Sequence, residues 1–234
     1  MDMFQIDLSG ADGWTVAAHA AKLGDSRMMD DLVIGIKPAR VICALYLTKD
    51  MSLANMPSDQ LKEFLKSLDI PEWLYAAAKA VQHGSSYGMG KPTMSVNILK
   101  QSWEMSGEPI YVDPKSCGDL QELFFIRYMG VRRWQAWVKM ILEQRGFLTC
   151  ASGHVRQFLG RKTDNATLQS AYSHEPQANT TYATSLAMRK LWFDETNHDN
   201  RGKLIIEPLH QVHDALIGQF PSDRAAESIA KLRT

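Results

Sequence analysis

Alternating apolar and polar positions predict strands at the start of the chain and near its end. Residues 3–8, MFQIDL, alternate with a period of two, and residues 209–220, LHQVHDALIGQF, do so on both sides of a central His-Asp pair. This period is typical of half-buried strands. The second stretch therefore predicts a hairpin that turns at residues 213–214, and GFLTCASGHVRQFLG predicts another hairpin that turns at residues 152–153.

The remaining periodic segments predict helices. They cover residues 13–24, 57–68, 71–88, 119–130, 131–146, 176–193 and 221–234. Ser58 is placed as an N-cap, Pro71 and Pro176 occupy the first turns of their helices, and Gly146 ends the helix before it. Residues 106–119 form a turn-rich connection. Many helices around a small, mainly antiparallel sheet predict an α+β fold.

The composition fits one domain or two closely joined subdomains, because the chain has 234 residues of which 45% are hydrophobic. Its three cysteines are far apart and form no CxxC pair, so neither a zinc site nor a disulfide framework is indicated. The first residues lack the features of a signal peptide. The most apolar region, DLVIGIKPARVICALYL, is interrupted by Lys37, Pro38 and Arg40. The sequence thus predicts a cytoplasmic protein with no membrane span.

Charge is distributed unevenly along the chain, although the formal net charge is zero. A zero balance argues mildly against nucleic-acid binding, for which a basic balance is usual. The first 72 residues lean acidic, whereas residues 127–162 carry eight basic residues against one acid, Glu143. An acidic start and a basic middle suit a protein that holds both metal ions and polyanions. A solvated basic face is the simpler explanation of the same pattern.

Three aspartates stand where they either hold a metal ion or form turns. Asp7 ends the first predicted strand, Asp12 follows near the next helix, and Asp214 lies at the hairpin tip beside His213. A carboxylate at the end of a stiff strand is well placed to bind a divalent cation. Taken singly, each aspartate is more simply explained as a cap or turn residue.

One face of the helix predicted over 71–88 carries polar groups suited to a nucleotide. Tyr75, Lys79 and His83 are four residues apart and share this face, with Tyr87 one further turn along. A cation, an imidazole and a phenol in a row can hold a phosphate chain and stack on a base. A solvent-facing amphipathic helix explains the pattern equally well.

Taken in order, these segments resemble the motifs of family A DNA polymerases, of the DNA polymerase I-like, phage type, from Ile6 over nearly the whole chain. DLSGADGWTVAAHA is similar to motif A, YAAAKAVQHGSSYGMG to motif B and QVHDAL to motif C. FFIRYMGV resembles the family's YFxRYPGV segment, GFLTCASGHVR its GYVxTxxGRR hairpin, and HEPQANTTYA the helix whose Gln reads the primer–template minor groove. The order and spacing of the segments carry the resemblance, rather than any single motif.

The resemblance implies a right-hand polymerase palm with helical fingers. Residues 1–30 would belong to the palm, 31–118 to the fingers, and 119–234 to the return from the fingers and the rest of the palm. The implied activity is the transfer of nucleotides from dNTPs to a primer 3′-OH with two metal ions. Asp7 and Asp214, helped by the Leu8 carbonyl, are the implied ligands of these ions, Mg²⁺ or Mn²⁺.

Other motif positions are implied as contacts with the nucleotide and with primer–template DNA. Lys79 would pair with the triphosphate and give a proton to the leaving group, His83 would lie beside the deoxyribose, and Tyr87 would stack at the insertion site. Asp12 occupies the steric-gate position that excludes a ribose 2′-OH. The implied DNA contacts are Gly88, Arg156, His213 near the primer end, and Gln177, which reads the minor groove.

Several positions depart from the family pattern. This sequence has Tyr75 where the family has an Arg, Asp12 where it has a Glu, His83 where it has an aromatic residue, and Ala215 where it has the second acid of motif C. The family's triphosphate-binding His has no counterpart in GIKPARVICALYL, where Lys37 and Arg40 are nearby cations. Losing the Arg and the His together removes positive charge from the triphosphate site, which raises the nucleotide KM or abolishes activity.

Family A polymerases place a thumb, and often a 3′–5′ exonuclease domain, before motif A, whereas Asp7 stands almost at the start of this sequence. We therefore expect a palm-and-fingers fragment without a thumb, and a second chain that carries the missing domains. A non-catalytic nucleic-acid-binding remnant and a relative of the single-subunit RNA polymerases are the alternatives. The acidic Asp12 argues against the RNA polymerase, because an acid at this position excludes the 2′-OH.

Overall fold

A computed structural model, which describes residues 1–233, has a mixed α+β fold with 64% helix. Its first half comprises β1 (Asp2–Asp7), α1 (Ala11–Lys22), α2 (Arg27–Val33), α3 (Pro38–Thr48), α4 (Ser58–Lys66), α5 (Glu72–Ser86) and α6 (Lys91–Ser106). Its second half comprises α7 (Pro114–Arg127), α8 (Met129–Arg145), β2 (Phe147–Thr149), β3 (Val155–Gln157), α9 (Asn165–Phe193), β4 (Glu207–Val212), β5 (Ala215–Phe220) and α10 (Ala225–Leu232). The α+β prediction is confirmed.

The main sheet is antiparallel with the strand order β1-β5-β4. Asp7 on β1 pairs with Ala215 on β5, which pairs on its other side with Val212 on β4. The backbone N–H of Leu8 donates to the carbonyl of Asp214 at 3.2 Å, so the end of β1 meets the β4–β5 turn. Both predicted hairpins are confirmed, because β2 and β3 also pair antiparallel around a turn at residues 150–154.

The helices share one large hydrophobic core, and the sheet has a smaller one. Trp134, Phe124 and Tyr128 are the largest apolar side chains buried in the helical core, and α3 contributes a nearly continuous buried stretch. The smaller core consists of Ile205, Ile206 and Phe220, against which further side chains from β1, α9 and α10 pack. In the described part of the chain, no helix is both long enough and apolar enough to cross a membrane.

The FFIRYMGV segment forms a buried ionic network. The fully buried guanidinium of Arg127 donates to both carboxylate oxygens of Asp31 at 2.7 Å. Tyr128 and Ser58 donate their hydroxyls to the same carboxylate at 2.7 and 2.6 Å. The remaining nitrogen of Arg127 donates to the carbonyls of Leu53, Ala54 and Met56. Because its charge is neutralised inside the fold, Arg127 is not part of an exposed basic face.

At the starts of α4 and α5, the position of one serine and one proline differs from the prediction. Ser58 is the first residue of α4 and Pro57 is its N-cap. The Ser58 hydroxyl donates to Asp31 instead of capping the helix. Pro71 is the N-cap of α5 rather than a residue of its first turn. The helix predicted over 71–88 therefore covers Glu72–Ser86, and Tyr87 follows as its C-cap.

Three helices, α2, α3 and α6, and the first parts of α7 and α9 were not predicted. α6 had no clear periodic signal, and α7 begins at Pro114, because the Asp113 side chain caps it by accepting from the N–H groups of Lys115 and Ser116. The turn-rich connection is thus confined to residues 107–113. Pro176 lies inside the 29-residue α9 rather than at its start. It is buried there, and the packing of α9 on α1, α8 and β4 maintains the helix despite the lost backbone hydrogen bond.

Candidate active site

Two carboxylates lie side by side where β1 meets the β4–β5 turn. The negative charge of Asp214 raises the pKa of the Asp7 carboxyl, and partial desolvation and a side-chain hydrogen bond to Asp214 raise it further. Two like charges in contact are relieved by a shared cation. Oxygen ligands of this kind suit a hard divalent ion such as Mg²⁺, which keeps several waters and needs few protein ligands. The pair therefore fits the predicted metal site.

Few protein groups at this junction could bind a metal ion. No group of three or more His, Cys, Asp or Glu side chains that could hold a metal ion occurs among residues 1–233. The residue after Asp214 is the buried Ala215, so no second acid adjoins Asp214 in the turn. A bound ion would thus depend on Asp7, Asp214 and groups such as the carbonyl of the adjacent Leu8.

His213 adopts an unusual backbone conformation in the β4–β5 turn. Its φ is 54°, in the left-handed region that residues other than Gly, Asn and Asp seldom adopt. The Gln211 side chain donates to the His213 carbonyl at 3.3 Å and to the Thr181 carbonyl of α9 at 3.1 Å. The turn is thereby tied to α9, and the His213 side chain remains exposed.

The predicted polar face of α5 is present at Lys79 and His83, whereas Tyr75 is partly buried and packs against the helical core. Lys79 and His83 are exposed on successive turns, and the rings of His83 and Tyr87 meet edge to face with centroids 4.8 Å apart. The Tyr87 hydroxyl donates to Asp12 in the first turn of α1 at 2.6 Å. Burial raises the pKa of Tyr87, and the Asp12 carboxylate raises it further, so the phenol stays protonated and donates. The implied steric gate and the end of the motif B helix are therefore in direct contact.

Three glutamine amides, which the sequence did not single out, hold the turn after α5. Gln135 of α8 donates to the carbonyls of Ser85 and Ser86, Gln169 of α9 to that of Gly88, and Gln121 of α7 to that of Met89. Gly88 has a φ of +71°, and a Cβ there would lie 3.0 Å from the Tyr172 ring. No local sequence signal identifies these amides, because they come from three different helices.

The remaining predicted DNA contacts lie on α9 and β3. Gln177 is exposed on α9, one turn before Thr180. Arg156 on β3 donates to Ser170 of α9 at 2.9 Å and stacks over Phe158. A groove of about 430 Å³ runs between α1, the β2–β3 turn and α9, lined among others by Trp14, Lys22, Ser152, Asn179 and Tyr182.

The two cations near the missing triphosphate-binding His have different environments. Arg40 donates to the Leu65 carbonyl at 2.9 Å, so its charge is engaged within the fold. Lys37 is exposed at the N-cap of α3. The Gln82 side chain of α5 accepts the N–H of Ala39 at 3.1 Å, which holds the first turn of α3 against α5. Lys37 is thus the better placed of the two to supply charge beside α5.

His19, in the segment that resembles motif A, is largely buried and packs against α8 and α9. His19 stacks on Trp134 with centroids 5.7 Å apart, and its Nε2 lies 3.6 Å from the Glu175 carboxylate. Burial lowers the pKa of His19 to about 4, with a further contribution from the charge of Lys22. Burial raises the pKa of Glu175. The imidazole is therefore neutral near pH 7.

We expect the free energy of unfolding to fall as the pH is lowered from 6.5 to about 4, and His19→Gln to remove much of this fall. In that range the unfolded chain binds a proton at His19 that the folded chain does not, which costs the wild type roughly 2–3 kcal/mol. The raised pKa of Glu175 acts in the opposite direction in both proteins. Urea unfolding of the wild type and His19→Gln at pH 7 and 4.5 gives the change in the free energy of unfolding for each protein. Equal decreases in the two proteins would show that His19 does not cause the pH dependence.

No known protein-family model matches the sequence, and no curated protein matches it. Among solved structures, the chain is similar to the POL domain of Pol1 from M. smegmatis in complex with DNA primer-template and dNTP, with a TM-score of 0.68 and 18% identity. The match covers 100% of this chain and 36% of that one, so the chain spans about a third of its length. The chain therefore shares the fold of part of a DNA polymerase domain.

Proposed function

We propose that this chain is the catalytic palm-and-fingers part of a template-directed DNA polymerase of family A, phage type. The observation that carries the proposal is the Asp7–Asp214 pair at the junction of β1 and the β4–β5 turn, in a fold similar to a DNA polymerase domain. We assign residues 1–30 to the palm, 31–118 to the fingers, and 119–234 to the return from the fingers and the rest of the palm.

Asp7, Asp214 and the Leu8 carbonyl would hold two divalent ions, Mg²⁺ or Mn²⁺. Such ions, when bound, lower the pKa of a primer 3′-OH and neutralise the triphosphate and the leaving pyrophosphate. The chain supplies the fixed positions: Asp7 stands at the end of a paired strand, and the Asp214 carbonyl is bonded to the next residue of that strand. Because Asp7 ends a paired strand and Asp214 lies in the turn bonded to that strand's end, the two carboxylates need little reorganisation to act together.

The exposed face of α5 would bind the incoming dNTP. Lys79 offers a cation for the triphosphate and a proton for the leaving group, His83 a ring beside the deoxyribose, and Tyr87 a stacking surface at the insertion site. Lys37 replaces part of the positive charge that the family draws from its Arg and His. Asp12 would exclude the 2′-OH of a ribonucleotide.

Primer–template DNA would lie along α9 and the β4–β5 turn. Gln177 is exposed for hydrogen bonds in the minor groove, where acceptors are shared by all base pairs. His213 would contact the primer end, and Arg156 and Gly88 would contact the template side. Such contacts are independent of sequence, as replication requires.

The proposal is tested by primer extension with the 234-residue chain, a primer–template duplex, dNTPs and Mg²⁺. We expect incorporation that follows the template and stops when EDTA removes the metal. Duplex binding without any incorporation, with Mg²⁺ or Mn²⁺ and with an added thumb-bearing chain, would contradict the proposal and support a non-catalytic remnant. A preference for rNTPs over dNTPs would instead support an RNA polymerase relative.

Lys79→Met is expected to lower kcat/KM for the dNTP by roughly 10- to 100-fold, because a charge-assisted contact with the triphosphate is lost. The matched control is Lys66→Met, which removes an exposed lysine from α4 that pairs with Glu63. Steady-state incorporation of a single dNTP at saturating duplex gives both values. Equal kcat/KM values for the two variants would show that Lys79 does not contact the triphosphate.

A further inference from the structure

The Asp12 carboxylate is held by two hydroxyl groups from different helices. Tyr87, at the C-cap of α5, donates to Oδ2 at 2.6 Å, and Thr180 of α9 donates to Oδ1 at 3.2 Å. Thr180 is 6% exposed, so its hydroxyl has little access to water. With one donor on each oxygen, the plane of the carboxylate is fixed as well as its position.

Thr180 uses its hydroxyl differently from its neighbours on α9. Thr184 donates to the carbonyl of Thr180 at 3.0 Å, and Ser185 donates to that of Thr181 at 2.9 Å. Bonding to the backbone one turn earlier is the usual choice for a hydroxyl in the middle of a helix. The Thr180 hydroxyl is turned away from its own helix and towards α1, where it reaches an acidic side chain 168 residues earlier in the chain.

We propose that Thr180 is a positioning residue for sugar selection, acting through Asp12. The inference rests on the proposed function. Aspartate is one methylene shorter than the glutamate that the polymerase pattern has at this position, so its carboxylate stays close to α1. Two hydroxyl donors hold it there as a fixed barrier. With Tyr87 as its only donor, the carboxylate can rotate and accept a hydrogen bond from a ribose 2′-OH.

The chain offers a matched set of variants for this inference. Thr180→Val keeps the shape of the side chain and removes the hydroxyl. Thr180→Ala removes both the hydroxyl and the methyl group, and Thr180→Ser keeps the hydroxyl. Thr184→Val removes a hydroxyl of similar burial that bonds only within α9. Each variant is compared with the wild type by the ratio of kcat/KM for a dNTP to that for the matching rNTP. Because both substrates are measured on the same folded protein, a general loss of activity cancels in the ratio.

We expect Thr180→Val and Thr180→Ala to lower the dNTP-to-rNTP ratio by about tenfold, the effect of one hydrogen bond to a charged group. Thr180→Ser and Thr184→Val should stay within about twofold of the wild type. An unchanged ratio in both Thr180 variants, or an equal fall in Thr184→Val, would overturn the inference while leaving the polymerase proposal intact. Wild-type protein that incorporates no nucleotide would reject the polymerase proposal, and this inference with it.

Discussion

Asp214→Asn is expected to reduce templated nucleotide incorporation by about a thousandfold or more, the equivalent of roughly 4 kcal/mol of transition-state stabilisation. The substitution does not change the size of the side chain. It also leaves intact the hydrogen bond from the Leu8 N–H to the backbone carbonyl of residue 214. It removes one of the two negative charges that would bind the metal ions, and no neighbouring acid can replace it, because Ala215 follows. Asp7→Asn should have a similar effect.

The same substitution should not destabilise the metal-free protein. Repulsion by Asp214 raises the pKa of Asp7, so neutralising Asp214 relieves an unfavourable contact in the folded state. Single-turnover primer extension and urea unfolding, carried out on the same preparations, separate the two effects. Asp223→Asn, an equivalent change at an exposed position after β5, serves as the control. Activity within tenfold of wild type in Asp214→Asn would exclude this residue as a metal ligand.

Arg127→Met is expected to lower the free energy of unfolding by about 3–5 kcal/mol, because it leaves the Asp31 carboxylate buried without its cation. The guanidinium also donates to the carbonyls of Leu53, Ala54 and Met56, and these three hydrogen bonds would be lost. This loss is a large part of the stability of a typical domain. The variant should therefore express poorly or unfold at a much lower temperature.

A second arginine provides the control for this prediction. Arg132 of α8 forms an exposed ion pair with Glu122 at 2.7 Å, and such pairs contribute less than about 1 kcal/mol. Urea unfolding of Arg127→Met and Arg132→Met should thus give clearly different midpoints. Replacing Asp31 by Leu in the Arg127→Met background should restore part of the stability, because no unpaired charge remains. Equal midpoints for the two arginine variants would contradict the role of the network.

The places of the proposed site carboxylates in the fold could be predicted because their signals are local. Alternation over residues 3–8 and 209–220 gives the strands and the hairpin turn, so Asp7 falls at a strand end and Asp214 in the turn. Their role as metal ligands came from the resemblance and stays a prediction. The edge-to-face contact of His83 with Tyr87 likewise follows from a spacing of four on one helix. Order and spacing of the motifs then gave a polymerase-like fold, which the structural similarity supports.

What the sequence did not predict depends on contacts between distant segments. Arg127 looked like one of a run of basic residues, and its partner Asp31 lies 96 residues away in the chain. Thr180 and Gln135 have no feature that separates them from ordinary polar helix residues until α1, α5, α8 and α9 pack together. Pro176 suggested a helix start because local rules favour it there, whereas tertiary packing carries α9 through it.

The left-handed conformation of His213 has a consequence for attempts to make the protein more heat-resistant. A β-carbon in this region costs about 1–2 kcal/mol, so Gly would fit the turn better than His. Directed evolution for thermal tolerance alone would therefore tend to discard the imidazole beside Asp214, which we propose as a metal ligand. A stabilising substitution of His213 would thus remove the proposed primer contact, and a library that fixes residue 213 avoids that loss.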